Sequence, residues 1–160
     1  MYLVFYTSRY DKIYSNFIRW QTSALSYKLN GKWKATYSHV EIVFSDCMML
    51  GSSSYENKVR FNKHSFTGKA CDRLKLDITK EDELKIRSRC EARVSKGEKY
   101  DYLGLIRFLI FNVVESKDKS FCSEVCTTEL QEYVPELKDL VPHKTSPNDM
   151  EIALKFGVFK

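Results

Sequence analysis

Between positions 36 and 78 the chain reads as one short strand after another with no helical spacing in between, and this limits its fold more than any other feature. Thr36-Tyr37-Ser38-His39-Val40-Glu41-Ile42-Val43-Phe44 is rich in β-branched and aromatic residues and gives the strongest strand signal in the chain. Ser45-Asp46 turns it into a second strand, Cys47-Met48-Met49-Leu50, which is expected to break up in Gly51-Ser52-Ser53-Ser54. Val59-Arg60-Phe61 and Leu74-Lys75-Leu76-Asp77-Ile78 read as further short strands, and Tyr2-Leu3-Val4-Phe5-Tyr6 adds one at the start. Strands that follow one another without crossover helices imply an antiparallel meander.

Helical signals flank this block. Asp11 caps a segment in which Ile13, Phe17, Ile18, Thr22 and Leu25 recur at helical spacing, and Asn30-Gly31 stops it. Thr79-Lys80-Glu81-Asp82 has the capping-box form, with Leu84, Ile86 and Cys90 following. Residues 103–111 are the most apolar stretch and read as a buried helix, too short for the about 20 residues a membrane span needs. Ser146-Pro147-Asn148-Asp149 opens a last short helix, with Ser146 as N-cap and Pro147 at the first helical position. At 160 residues the chain is read as a single α+β domain over its whole length, large enough to bury a core without staples.

Charge and cysteines exclude several classes. The formal charge of +5 comes from interspersed residues, 26 basic and 21 acidic, which describes a solvated surface better than a polyanion-binding block. Five cysteines in scattered positions do not form a disulfide framework. The first residues carry no basic stretch followed by an apolar one, so a reduced, cytoplasmic setting is expected, with no transmembrane segment.

Phe121-Cys122-Ser123-Glu124 carries the chemistry. It follows a polar linker, Glu115-Ser116-Lys117-Asp118-Lys119-Ser120, and opens a helical run through Leu130. A cysteine in the first turn of a helix meets unpaired N–H groups and the positive end of the helix dipole, which favour a thiolate. The same N–H groups can hold an oxyanion. A nucleophile needs a base, and the chain has three histidines. His64 and His143 lie in loops. His39 lies in the strongest strand, where alternation sends Ser38, Val40, Ile42 and Phe44 to one face and His39, Glu41 and Val43 to the other. An imidazole there can face the Cys122 helix.

Four matches occur in order: Ser38-His39-Val40-Glu41-Ile42 on a strand, Tyr100-Asp101-Tyr102-Leu103-Gly104, Phe121-Cys122-Ser123-Glu124 on a helix, and Ser146-Pro147-Asn148-Asp149-Met150. Together they resemble the circularly permuted NlpC/P60 branch of papain-like enzymes, in which the histidine strand precedes the cysteine helix. Bacterial, phage and poxvirus proteins and lecithin:retinol acyltransferase relatives belong to that branch. The resemblance implies a permuted papain-like fold, an antiparallel sheet packed against a helix carrying the cysteine. It implies Cys122 as nucleophile, His39 as general base, and no cofactor or metal. The family places a third, orienting residue on the strand after the histidine strand, where this sequence offers Ser53, Ser54 and Glu56; Glu41, on the face of His39, is the other candidate. Ser123 and Glu124 match the motif as support for the oxyanion or the helix start.

The chemistry implied is attack on a peptide, isopeptide or peptidoglycan-type amide through a thioester intermediate. Acyl transfer, or hydrolysis of a lipid or thioester, is the alternative on the same scaffold. The acyltransferase branch often carries a C-terminal membrane anchor, and residues 152–160 are too short and too charged for one, which favours hydrolysis. A different class of reading is an inert phage or viral binding module, in host cytoplasm. In it Tyr10, Tyr14, Trp20 and Trp33, interleaved with Arg9, Lys12, Arg19, Lys28, Lys32 and Lys34, would meet nucleic acid. A metal site from Cys122, Cys126 and His39 lacks the further paired ligand of a zinc site.

Overall fold

The computed structural model describes residues 1–7, 37–63, 71–102 and 119–157. Five strands form one antiparallel sheet: β1 (Tyr2–Thr7), β2 (Tyr37–Val43), β3 (Met48–Ser53), β4 (Lys58–Lys63) and β5 (Cys71–Lys75). The spatial order β4-β3-β2-β1-β5 makes the first four strands the expected meander. β5 departs from it: it returns to the open edge of β1, pairing Leu74 with Leu3, and so covers an edge that would otherwise be unpaired. It also spans 71–75 rather than the expected 74–78.

Three helices occur among the described residues: α1 (Lys80–Ser95), α2 (Cys122–Leu130) and α3 (Pro147–Phe156). Two short 3-10 turns, Pro135–Leu137 and Pro142–Lys144, lie between the last two. A two-residue strand, β6 (Lys99–Tyr100), pairs in parallel with another, β7 (Lys119–Ser120), so the end of the expected polar linker is structured. The helix expected over Ile13, Phe17, Ile18, Thr22 and Leu25, the basic aromatic set from Arg9 to Lys34, His64 and residues 103–111 lie outside the described residues. No helix among the described residues is long and apolar enough to cross a membrane.

One face of the sheet carries the main core. Leu3, Phe5, Val40, Ile42, Phe44 and Leu50 pack with Ile86 and Cys90 of α1, Val125, Cys126 and Leu130 of α2, and Met150 and Ala153 of α3. Val4, Val43 and Met49 form a smaller cluster with Tyr6 and Cys71 on the opposite face. The expected alternation therefore holds from Val40 onward. It fails at Ser38, because the β1–β2 register steps from Tyr6↔His39 to Thr7↔Tyr37 and leaves Ser38 as the extra residue of a bulge. The bulge sends Tyr37, not Ser38, into the core.

The second correction concerns β3, which does not break up after Leu50. Gly51, Ser52 and Ser53 pair with Arg60, Val59 and Lys58, and Ser52 Oγ donates to the Ser120 carbonyl at 2.6 Å. Partners on both sides thus override the weak strand preference of glycine and serine.

The helix caps form as read. Thr79 Oγ1 accepts from the Asp82 N–H at 3.1 Å, and Ser146 Oγ accepts from the Asp149 N–H at 3.2 Å while Asp149 Oδ2 takes the Ser146 N–H at 2.8 Å. α3 ends at Gly157, whose φ of 61° suits a residue without a Cβ. Asn148, one residue inside α3, does a different job. Its Oδ1 accepts from the Tyr37 N–H at 3.1 Å and its Nδ2 donates to the Tyr37 carbonyl at 2.8 Å. The helix start thus holds the strand end at the bulge, two residues before His39. Asn148→Ala leaves the N–H and C=O of Tyr37 buried without these partners and is expected to cost about 2 kcal/mol or more in urea denaturation. An unchanged midpoint would contradict the clamp.

Candidate active site

His39 and Glu41 sit two apart on β2 and therefore point to the same side of the sheet. Glu41 is 3 % exposed, a costly place for a carboxylate, and its partners explain why it tolerates burial. Glu41 Oε1 lies 3.1 Å from His39 Nε2 and 3.3 Å from Arg60 Nη1, and the Tyr6 hydroxyl bonds the same carboxylate. Arg60 is in turn held by Glu56, whose Oε1 accepts from Arg60 Nε at 2.5 Å.

Glycine at position 51 makes this contact possible. Gly51 lies opposite Arg60 on β4, and the β2–β3 ladder, which pairs Ile42 with Leu50, brings Glu41 to its other side. A Cβ built on Gly51 would fall 2.3 Å from Glu41 Oε1 and 2.6 Å from its Cγ, far inside van der Waals contact. The carboxylate lies over the bare backbone of β3, where Arg60 reaches it. A glycine inside a strand is the usual mark of such a close approach.

α2 lies against β2, with Cys126 Sγ 3.8 Å from the Val40 carbonyl, and its first residue meets His39. The Cys122 sulfur and the His39 ring lie close enough to shift each other's protonation, and the backbone N–H groups of Val40 and Ser123 also act on the sulfur. With Nε2 engaged by Glu41, Nδ1 is the ring nitrogen left for the sulfur. Burial alone would raise the thiol's pKa, but the His39 charge and these N–H groups hold it below the ordinary value. Burial would likewise lower His39, but the negative charges of Cys122 and Glu41 push it up to about 10. Burial would raise Glu41, and His39 and Arg60 bring it down to about 2. The three groups together favour a thiolate, an imidazolium and a carboxylate. Cys122 is only 5 % exposed, whereas 30 % of the His39 side chain is open to solvent.

The other candidates from the sequence fall elsewhere. Ser53 Oγ accepts from the Glu56 N–H at 3.2 Å, and the exposed Ser54 gives its carbonyl to the Tyr102 hydroxyl. Both serve the β3–β4 turn. Glu56 reaches Arg60, not His39, because the turn leaves it on the exposed flank of β4. Ser123 Oγ donates to the Thr145 carbonyl at 2.7 Å, so its contribution to the sulfur is its N–H. Glu124 accepts from the Phe121 N–H at 3.3 Å and caps the helix; burial, with Asp101 and Glu98 nearby, raises it to about 7. Cys126 and Cys90 are buried in the core, Cys71 is half-buried and Cys47 is exposed; all five cysteines are free. No group of three His, Cys, Asp or Glu side chains that could hold a metal ion occurs among the described residues.

Sequence reading gave no site role to Arg60, Gly51 or Tyr6, and took Tyr100 only as part of a motif match. Tyr6 stacks on His39 with ring centroids 5.7 Å apart. Tyr100 is buried and close enough to Cys122 that, after burial, the sulfur's charge is the next cause keeping its hydroxyl protonated. Gly51 alone left a local signal, a glycine beside a strand, and it was read as the strand's end. No family model matches the chain, and neither a curated protein nor a solved structure is significantly similar to it.

Four outcomes follow from this geometry. Gly51→Ala displaces the Glu41 side chain and is expected to cost about 1–3 kcal/mol, as overpacking does. The Glu41 contribution to stability is present above its unfolded pKa of 4.5 and is lost as pH falls toward 2. Glu41→Gln should therefore flatten the acid limb of stability against pH. In native protein, iodoacetamide should label the 5 % exposed Cys122 faster than the exposed Cys47 near neutral pH, read by peptide mass. His39→Ala should move the Cys122 labelling midpoint above the ordinary thiol range, since burial then acts unopposed. Faster labelling of Cys47, or a midpoint unmoved by His39→Ala, would contradict the pair.

Proposed function

We propose that this chain is a cysteine hydrolase of the circularly permuted papain-like, NlpC/P60 type, acting on an amide or peptide bond. One observation carries the reading: a cysteine at the first position of a helix lies close enough to a histidine to have its thiol held below the ordinary range, and that histidine's Nε2 lies 3.1 Å from a buried carboxylate. A purely structural cysteine needs no such partner. The chain order supports the fold reading, because the histidine strand precedes the cysteine helix and the sheet between them is antiparallel.

In this mechanism the Cys122 thiolate attacks the carbonyl carbon, and a C–S bond forms while the carbonyl oxygen takes the electron pair. The Cys122 N–H, among the first of α2 and without an intrahelical acceptor, is placed to stabilise that oxyanion. His39 gives its proton to the leaving nitrogen as the C–N bond breaks, leaving a thioester. Water entering past the open edge of His39 loses a proton to the imidazole and attacks the thioester. The C–S bond then breaks, and the thiolate and imidazolium are restored. Glu41 fixes the ring and stabilises its charge, and Arg60 and Tyr6 fix Glu41.

A panel of amide, ester and thioester substrates tests the reading, with the acyl-enzyme trapped by rapid acid quench and located by mass spectrometry. A hydroxylamine-sensitive adduct on Cys122 is expected. Cys122→Ala should abolish it, and His39→Ala should slow its formation by about 10²–10⁴-fold. Glu41→Gln should lower kcat with little change in KM. Turnover that survives Cys122→Ala would overturn the proposal.

A further inference from the structure

A cleft of about 700 Å³ opens beside the second half of α1, where that helix meets the β6–β7 ribbon. Five cations, Arg89, Arg93, Lys96, Lys99 and Lys119, line it against two carboxylates, Glu98 and Glu129. The two kinds of cation are in different states. The arginines are spent on the protein itself. Arg93 Nε reaches Glu129 Oε1 at 2.5 Å and its Nη1 meets both Glu98 oxygens at 2.7 and 2.9 Å. Arg89 bonds Glu129 Oε2 at 3.0 Å, the Glu129 carbonyl at 2.7 Å and Glu132 at 2.5 Å. These bonds tie α1 to α2 and build a rigid floor that uses both carboxylates.

The lysines are unspent. Among the described residues, the ammonium groups of Lys96, Lys99 and Lys119 have no ion pair or hydrogen bond. Lys99 and Lys119 stand directly opposite each other on neighbouring parallel strands, with buried Tyr100 and Ser120 turned to the other side. Like charges opposed across a strand pair repel. A chain that keeps two there, with a third at the end of α1, leaves a positive concavity that an anion would relieve. The negative end of α1 does not cancel it. The N–H groups of Lys96, Gly97 and Glu98 take the carbonyls of Ala92, Val94 and Arg93.

We propose that this cleft binds a compact polyphosphate group, whether of a nucleoside triphosphate or of an inorganic polyphosphate. The arginine forks that would recognise a planar carboxylate are occupied, and free ammonium groups are point charges suited to phosphate oxygens. The volume is that of a small-ligand site. Its clustered lysines suit phosphates joined to one another better than the backbone of a strand, which calls for a charged stripe. The ligand would sit behind β7, whose next residues are Phe121 and Cys122, yet the site stands independently of any chemistry at Cys122.

Titration calorimetry with sodium tripolyphosphate, at low and at physiological salt, tests this on the whole chain, with ATP as a second arm. One saturable site is expected, weaker at higher salt. Lys99→Gln and Lys119→Gln should each lower affinity about tenfold or more, as loss of a charge-assisted contact does. The paired variant Lys80→Gln/Lys85→Gln, at the opposite end of α1, should not. The ligand-free Tm should stay level or rise in Lys119→Gln, because the repulsion is gone, and tripolyphosphate should raise Tm in the native chain and the paired variant, and less in Lys99→Gln and Lys119→Gln. Tighter ATP than tripolyphosphate assigns the source to a nucleotide, and the reverse assigns it to the inorganic chain. The proposal is overturned by no saturation at millimolar tripolyphosphate, by equal affinity in the lysine variants, or by an oligothymidylate that displaces tripolyphosphate at equal phosphate concentration.

Discussion

A carboxylate at 3 % exposure survives in a protein only if its charge is matched in place, since burying one ion costs several kcal/mol even after relaxation. Glu41 is matched by His39 on its own strand, Arg60 across β3, and the Tyr6 hydroxyl from β1. Four strands, β1 to β4, therefore have to be in one register for the site to exist. That register is set away from the charges, by Ile42 against Leu50 and Leu3 against Ile42 in the main core. Gly51 supplies the missing volume over which the carboxylate lies. Packing on one face of the sheet thus fixes the electrostatics on the other.

The same dependence explains the state of the sulfur. Burial works against a thiolate at Cys122, and His39 is what reverses it. His39 can hold its charge because Glu41 stands behind it. Asn148 fixes Tyr37 at the bulge, and the bulge lies beside the residue that carries the imidazole. The charged relay from Arg60 to Cys122 and the neutral clamp from α3 to β2 therefore converge on one side chain.

What could be read from the sequence was local. The caps at Thr79 and Ser146, the cysteine at a helix start and the histidine in a strand all declare themselves within a few residues. What could not be read was anything decided across strands. Arg60 is far from Glu41 in the chain and meets it only through the β3–β4 and β2–β3 pairings. Ser38 follows the alternation in sequence and breaks it in space, because the extra residue is defined by its partner strand. The family resemblance offered Ser53, Ser54 and Glu56 as the third residue, with Glu41, on the face of His39, as the other candidate. The ladder instead turns Glu56 toward Arg60 and gives His39 the carboxylate two residues on.

The charge state of His39 is the most direct measure of whether Cys122, His39 and Glu41 act as one unit. Following the His39 ring by NMR against pH, in the native chain and in Cys122→Ser, reads it without a substrate. The expected result is an imidazolium that persists to about pH 10 in the native chain and titrates markedly lower once the sulfur's charge is gone. A ring that loses its proton near the ordinary histidine value of about 6.5 in both proteins would contradict it.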